Sequence, residues 1–247
     1  MVKVECDLLL TRMFTIIRMF SGVMMEKFTR PDPSSLFAFP VAAAGYPIIA
    51  AFAFATGVFA LLRLVIPALV GVCFTFFTAY FFRDPDRVVP TASNAVVSPA
   101  DGKIVIAQRV ESSPFYDGPC QKVSIFMSVF NVHVNRIPYE GIVERIAYHP
   151  GKYVNASLDK ASEDNERNAV FIRTEAGLKY CVVQIAGLVA RRIICKIQPD
   201  ENVRRGMRFG MICFGSRLDV YLPPQTTLNV AVGNKVAAGT SIVGYIA

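Results

Sequence analysis

The sequence is short of the residues from which metal sites are usually built. It has no tryptophan and only two histidines, His133 and His149, so a site with three histidine ligands is excluded. Its six cysteines form no Cys-x-x-Cys pair. Most of them lie in apolar runs, which is typical of buried, reduced thiols. The sequence therefore predicts no bound metal.

Clustered positive charge is also missing. The net charge is +7, yet the chain contains no run of five basic residues. A nucleic-acid-binding surface usually needs such a cluster or a recognisable motif, and neither is present. We therefore expect no nucleic-acid partner, and an anionic membrane surface suits the excess of positive charge better.

Charge of either sign is almost absent from residues 36–82, where Arg63 is the one charged residue. Two apolar arms, Ile48–Leu62 and Ala68–Phe82, lie on either side of it. A charge at the centre of a bilayer costs about 2.5–3.5 kcal/mol, so Arg63 is expected at a turn. The sequence predicts a hydrophobic helical hairpin, residues 36–87, that anchors the protein in a membrane. A buried helical pair in a soluble core is the alternative, but the arms lack a polar face.

The flanks of this hairpin predict its orientation. Lys27 and Arg30 lie before its apolar arms, and Arg83 and Arg87 lie after them. Since basic residues collect on the cytoplasmic side, the rest of the protein is expected at the cytoplasmic face of the cell membrane. Residues 1–35 are predicted to form a separate amphipathic or flexible segment.

After residue 87 the pattern changes to short β-rich runs separated by turn residues. Examples are Lys122–Met127, Lys179–Ile185 and Leu218–Leu222. Runs of this length between turn signals are typical of antiparallel strands, and helical periodicity is too scarce for a parallel α/β sheet. The sequence predicts a β-dominated α+β fold. Its catalytic domain, residues 88–247, is expected to be an antiparallel β-sandwich or barrel-like structure that follows the helical hairpin.

Two segments of this domain carry candidate functional side chains. Asp101 lies in a tight turn, Ser98–Gly102, where an acidic residue most often only caps its own loop. Asn131, His133 and Asn135 alternate with valines. Period two would place these three polar side chains on one face of an extended segment, which is more typical of a site than of a lone structural histidine.

A third segment contains Gly215–Ser216, where one strand-like run ends and another begins. A Gly-Ser pair alone is a common turn. However, Gly215 leaves its carbonyl open to the hydroxyl of Ser216, and glycine tolerates the strained backbone that an attack by this hydroxyl needs.

Together these segments resemble the phosphatidylserine decarboxylase family, most closely its small bacterial and archaeal class. The resemblance runs from about residue 43 to the end, with the motifs in the same order. It includes three further segments, Phe81–Pro85, Asp159–Arg167 and Gln184–Arg192. The motif Phe214-Gly215-Ser216-Arg217 fits the small class, whereas the larger class usually has Leu-Gly-Ser-Thr.

The resemblance implies a pyruvoyl-dependent carboxy-lyase that is made as a proenzyme and cuts itself at Gly215–Ser216. His133 would act as the general base on the Ser216 hydroxyl, with Asp101 orienting the imidazole. The hydroxyl would attack the Gly215 carbonyl, and elimination and hydrolysis would leave a covalent pyruvoyl group at position 216. A β chain, residues 1–215, and an α chain, residues 216–247, would form a heterodimer, with a higher oligomer left open.

The resemblance also implies the reaction. The pyruvoyl group on Ser216 would form a Schiff base with the amine of phosphatidylserine in the bilayer. Loss of carbon dioxide and protonation, with His133 as proton donor, would give phosphatidylethanolamine. A decarboxylase of ether-linked, archaetidylserine-type lipids would use the same motifs. A membrane-anchored serine hydrolase, with Asp101, His133 and a free Ser216 hydroxyl, and a non-catalytic β-sandwich carrier are the alternatives from other classes.

Overall fold

The computed structural model describes residues 40–151, 165–187, 192–213 and 216–246. The predicted amphipathic segment, residues 1–35, lies outside the described residues. So does Gly215, on one side of the predicted cleavage point. The boundaries predicted between the three parts of the chain stay predictions.

Two apolar helices open the described chain and form the expected hairpin. Helix α1 spans Tyr46–Leu61 and helix α2 spans Val65–Phe81. Arg63 lies at the turn between them with a φ of 57°, a left-handed conformation that helps the chain to reverse direction. The prediction of a hairpin with Arg63 at its tip is confirmed.

The outer surface of this hairpin is apolar. Helix α1 buries none of its residues. Large side chains stand out from both helices, for example Phe54 at 76% exposure and Phe76 at 71%. By length and composition, Ala43–Leu61 could cross a membrane. This exposure disfavours the alternative of a helical pair buried in a soluble core.

The rest of the described chain is built mainly from β-strands. In chain order they are β1 Ala95–Val97, β2 Gly102–Val110, β3 Cys120–Met127, β4 Val134–Arg136, β5 Gly141–His149, β6 Arg167–Arg173, β7 Lys179–Ala186, β8 Ile193–Cys195, β9 Asn202–Val203, β10 Arg208–Ile212, β11 Ser216–Leu222, β12 Thr227–Leu228, β13 Lys235–Val236 and β14 Ile242–Tyr245.

These strands form one large and two small antiparallel sheets. The large sheet has eight strands in the order β13-β2-β3-β11-β7-β6-β5-β9. The small sheets have the orders β1-β14-β12 and β4-β10-β8. The predicted β-dominated antiparallel fold with an N-terminal helical hairpin is confirmed.

Strand β11 is buried along its whole length because it lies in the middle of the large sheet. Its alternate residues Leu218, Val220 and Leu222 enter the main apolar core, whereas Tyr221 packs in a second cluster on the other side. Alternation of this kind is what a strand covered on both faces requires. The first residue of this central strand, Ser216, is therefore held inside the protein.

The end of the hairpin packs directly on the β-strands. Phe81 and Phe82 are buried in a third apolar cluster, together with Val132, Val134, Met211 and Cys213. This cluster lies where the end of α2 meets strands β4 and β10. The hairpin and the segment that carries His133 therefore share one core.

Candidate active site

Ser216 lies where the chain passes from one sheet to another. Strand β10 ends at Ile212 in a small sheet, whereas β11 begins at Ser216 in the large sheet. There Ser216 pairs with Met127 on one side and Ala186 on the other. Its side chain is completely buried, and its Oγ makes no hydrogen bond to any described residue. A buried polar group without a partner costs about 1–3 kcal/mol, so a functional reason for it is expected.

A line of buried amides leads towards Ser216. Asn168 donates to the side-chain oxygen of Gln184 at 3.1 Å, and Gln184 donates to Oδ1 of Asn135 at 2.9 Å. The amide nitrogen of Asn135 in turn lies 3.9 Å from the sulfur of Met127, the residue that pairs with Ser216. Strands β6, β7 and β4 are thus connected by polar side chains on a path that ends beside Ser216.

Gly210 makes room for this line of amides. A Cβ atom at Gly210 would lie 2.8 Å from the amide nitrogen of Gln184 and would collide with the carbonyl oxygen of Ile194. Any other residue would push away one of the two. A glycine in the middle of β10 therefore lets the Gln184 side chain reach Asn135.

His133 lies between β3 and β4 and is completely buried. Its Nδ1 is 2.9 Å from the backbone carbonyl oxygen of Asn131. Since a carbonyl oxygen can only accept, Nδ1 carries a hydrogen, and the neutral ring presents Nε2 as a lone pair. Burial lowers the pKa of His133 to about 4, so the ring is neutral at pH 7. Nε2 makes no hydrogen bond to a described residue and is available as a base.

Asn131 departs from the expected extended segment. It lies in a bend, and its Oδ1 accepts from the backbone N–H of Ser128 at 2.9 Å and from the Ser128 hydroxyl at 2.8 Å. Its side chain therefore closes a turn and does not share a strand face with His133 and Asn135. The expectation of one common face for all three is wrong, because the side chain of Asn131 stabilises the loop instead.

The structure brings the segments of His133 and Ser216 to the same junction. Val132 and Val134, on either side of His133, pack with Cys213, which follows β10 on the way to Ser216. Asn135 belongs to the line of amides that ends beside Ser216. Two buried polar atoms that have no hydrogen-bond partner in the described part of the chain thus belong to neighbouring segments. One is a potential base and the other a potential nucleophile.

Asp101 lies in a turn against β4 but makes other bonds. The carbonyl oxygen of Pro99, in the same turn, accepts from the backbone N–H of Arg136. The carboxylate of Asp101 accepts from Arg87 at 2.9 Å and from the backbone N–H of Ala238 at 2.7 Å. Among the described residues, no hydrogen bond joins Asp101 to His133. In this structure the imidazole is oriented by a backbone carbonyl, and a role of Asp101 in orienting it stays a prediction.

A buried ion pair follows Ser216 directly along the chain. Arg217 Nε is 2.7 Å from the carboxylate of Asp219, and both side chains are at most 1% exposed. Arg217 also donates to the hydroxyl of Ser124 at 2.9 Å, and Lys122 lies 3.5 Å from the Asp219 carboxylate. Because side chains alternate along a strand, this pair lies on the opposite face of the sheet from Ser216. It ties the beginning of β11 to β3.

These features define a class of protein: a β-domain with an apolar helical hairpin and a buried serine and histidine suited to nucleophilic chemistry. Residues 74–244 match the model of the family described as phosphatidylserine decarboxylase. The match covers more than half of the chain and includes the Ser216 and His133 segments.

Curated relatives agree with this match over nearly their whole length. The chain is 50% identical over 206 residues to the phosphatidylserine decarboxylase proenzyme of Syntrophus aciditrophicus, which covers 83% of this chain and 96% of the relative. It is 47% identical over 207 residues to the proenzyme of the same name from Desulfotalea psychrophila, covering 84% and 97%. For Oleidesulfovibrio alaskensis the identity is 52% over 199 residues, covering 81% and 91%. The chain belongs to the phosphatidylserine decarboxylase family, an enzyme family, and the resemblance noted in the sequence is confirmed.

Proposed function

We propose that this protein decarboxylates phosphatidylserine to phosphatidylethanolamine and carbon dioxide after cutting its own chain at Gly215–Ser216. The observation that carries the proposal is the buried Ser216 hydroxyl, which begins the central strand and has no hydrogen-bond partner among the described residues. The relatives are named proenzymes, which supports a precursor that must be processed.

Cleavage begins with transfer of the Ser216 hydroxyl proton to Nε2 of His133. The Ser216 oxygen then bonds to the carbonyl carbon of Gly215, the bond from this carbon to the Ser216 nitrogen breaks, and the freed amine takes the proton. The peptide is now an ester. Removal of the Cα proton of residue 216 expels the Gly215 carboxylate and leaves a dehydroalanine. Water then replaces its nitrogen, which departs as ammonia, and a pyruvoyl group remains at position 216.

The geometry of His133 suits this role. The Asn131 carbonyl holds the hydrogen on Nδ1, so the basic Nε2 is the atom that can take a proton. Burial keeps the ring neutral, because it lowers the pKa to about 4. A neutral histidine that takes the proton of a serine hydroxyl is the logic of a serine protease, used here once and within a single chain.

The surroundings of position 216 also suit a pyruvoyl group. The Ser216 hydroxyl has no hydrogen bond to a described residue, so its loss breaks none of them. Pairing with Met127 and Ala186 holds the backbone on both sides. Once formed, the group supplies an electrophilic ketone that reacts with the amine of the substrate and accepts the electrons released with carbon dioxide.

The two chains produced by cleavage stay together in this proposal. Strand β11 begins at Ser216 and lies between β3 and β7, which precede the cleavage point. Separating the chains would break the middle of the large sheet and open its core. An α/β heterodimer, residues 1–215 and 216–247, is therefore the expected mature form.

The hairpin explains how the site meets its substrate. Phe81, the last residue of α2, lies against His133, so the apolar helices lead directly to the site. In this proposal the lipid approaches along these helices while its chains stay in the bilayer. Arg83 and Arg87 follow the hairpin and favour a position of the β-domain at the cytoplasmic face of the cell membrane.

The test uses the full chain in vesicles that contain either diacyl phosphatidylserine or its ether-linked analogue. Wild-type protein should release carbon dioxide and form phosphatidylethanolamine, whereas Ser216→Ala should stay uncut and inactive. Turnover of the ether lipid alone would reassign the substrate to archaetidylserine-type lipids. An uncut wild-type chain that cleaves esters and releases no carbon dioxide would favour the serine hydrolase.

A further inference from the structure

Arg83 reaches from the end of the hairpin to the loop that precedes His133. Its guanidinium donates to the carbonyl oxygen of Tyr80 at 2.7 Å and to that of Phe130 at 2.7 Å. It also lies over the ring of Tyr80, 3.9 Å from the ring centre. The hydroxyl of Tyr80 donates to the same Phe130 carbonyl at 3.2 Å. Two side chains at the base of the hairpin therefore hold one carbonyl of the loop.

This carbonyl belongs to the peptide that leads into Asn131. The carbonyl of Asn131 is the group that fixes Nδ1 of His133, and the side chain of Asn131 is bonded to Ser128. The side chain of Phe130 is 65% exposed, so apolar packing contributes little to the position of the loop. The N–H of the same peptide donates to the carbonyl oxygen of Ser128 at 3.0 Å. The bonds from Arg83 and Tyr80 restrain its carbonyl.

We propose that Arg83 is a positioning residue for the reaction: it holds the Phe130–Asn131 segment so that His133 presents Nε2 to the Ser216 hydroxyl. Tyr80 supports it through the shared Phe130 carbonyl. The inference rests on the proposed function, in which His133 is the base for self-cleavage.

The charge of Arg83 acts on His133 as well. Burial is the main cause of the low pKa of His133, and the positive guanidinium lowers it further by opposing protonation of the ring. Among the described residues, no carboxylate pairs with Arg83. The neighbours of His133 along the chain, Val132 and Val134, pack with the Cys213 thiol, whose pKa is raised by burial and lowered in part by the charge of Arg192. The positive charge of Arg83 therefore acts on the His133 ring, and no described acidic group pairs with it to compensate.

Three variants distinguish the effect of Arg83 on the position of the Phe130–Asn131 segment from the effect of its charge on the pKa of His133. Arg83→Gln removes both the paired donors and the charge, Arg83→Lys keeps only the charge, and Tyr80→Phe removes one hydrogen bond to Phe130. The full chain is made in a short cell-free pulse with vesicles present. Synthesis is then stopped, and conversion of precursor into two chains is followed from acid to neutral pH.

We expect Arg83→Gln and Arg83→Lys to slow self-cleavage by about 10- to 100-fold at neutral pH, because a small displacement of a catalytic group has effects of this size. Tyr80→Phe should slow it by about 2- to 10-fold. In Arg83→Gln the loss of rate in acid should begin at a higher pH than in wild type, because removing the charge raises the pKa of His133. In Arg83→Lys the loss of rate in acid should begin at nearly the same pH as in wild type.

The control is Arg109→Gln, which removes an exposed arginine whose ion pair is with the exposed Glu111. It should cleave at the wild-type rate. Cleavage of Arg83→Gln at the wild-type rate would overturn the proposal. Slow cleavage whose rate falls in acid at the same pH as in wild type would overturn it too, since that result indicates a merely structural role. The proposed function fails separately: an uncut wild-type chain would refute self-cleavage whatever Arg83 does. Normal cleavage by His133→Ala would remove His133 as the base and leave the decarboxylase function standing.

Discussion

The ring of Phe81 lies against the imidazole of His133, with their centres 4.2 Å apart. Phe81 is the last residue of the second apolar helix, and His133 is the candidate base of the site. The hairpin therefore forms part of the wall of the candidate active site in addition to exposing an apolar surface. Changes at the end of the hairpin should affect catalysis, whereas changes nearer its tip should affect membrane binding alone.

The first prediction concerns the base. His133→Ala should accumulate as uncut precursor, because general-base help is typically worth about 10²–10⁴-fold in rate. Gel analysis of freshly synthesised full chain measures this directly. His149→Ala is the matched control and should cleave normally, since His149 ends β5 on the surface and belongs to no part of the site. Equal cleavage rates in the two variants would remove His133 from the maturation step.

The second prediction concerns stability against pH. The pKa of His133 is about 4 in the folded protein and 6.5 in a free histidine, so between these values the unfolded chain binds more protons. The contribution of the neutral ring to the free energy of unfolding is therefore complete above about pH 6.5 and is lost as the pH falls to about 4. A difference of this size corresponds to roughly 3 kcal/mol.

Urea unfolding of the uncut Ser216→Ala protein across this pH range measures the effect. Adding His133→Gln to the same protein should make the free energy of unfolding nearly independent of pH between about pH 4 and 6.5. If both proteins lost stability equally over this range, other groups would be responsible for the acid sensitivity.

The third prediction concerns membrane binding. Phe54, Ile66 and Phe76 are 76%, 76% and 71% exposed on the hairpin. Burying one such side chain in lipid is worth about 1.5–3 kcal/mol, so replacing all three by serine should weaken binding to vesicles by about 100-fold or more. Cosedimentation with vesicles measures the bound fraction.

The control for this experiment replaces three exposed side chains of the described chain outside the hairpin, Val88, Tyr148 and Val232, by serine. This variant should bind as wild type does. If the hairpin variant stayed fully bound, the predicted amphipathic segment, residues 1–35, would become the main anchor.

The fourth prediction concerns the ion pair after the cleavage point. Asp219→Asn removes the carboxylate beside the buried Arg217, and breaking a buried pair in this way typically costs about 3–5 kcal/mol. Urea unfolding of the uncut Ser216→Ala protein with and without this change measures the loss. Glu111→Gln, which breaks the exposed pair with Arg109, should cost less than about 1 kcal/mol. Similar losses in the two variants would show that burial adds nothing to the pair at Asp219.

The hairpin can be predicted from the sequence, because a single charge between two long apolar arms favours a turn at that charge and a helix on either side. Strand β11 was also predictable from its apolar alternation. Strand β5 is less evident from the sequence, and its register explains why. The pairing with β6 shifts between Val143 and Arg145, so the period-two pattern is interrupted inside the strand.

The candidate site can be read from the sequence only where residue type carries the signal. Ser216 and His133 stand in motifs that the sequence shows. The carbonyl of Asn131 that orients His133 has no such signal, because every residue has a backbone carbonyl. Arg217 would be read as a surface residue, and only the structure reveals that Asp219 and Ser124 compensate its burial.

The proposed function depends on the conversion of Ser216 into a pyruvoyl group through cleavage of its own peptide bond. The most direct test is the intact mass of purified full-length protein, combined with Edman degradation of each chain. We expect two chains. The chain of residues 216–247 should be lighter than its serine sequence by one ammonia and blocked to Edman chemistry, because a ketone replaces its terminal amine. A single intact chain of 247 residues that retains full decarboxylase activity would contradict this expectation.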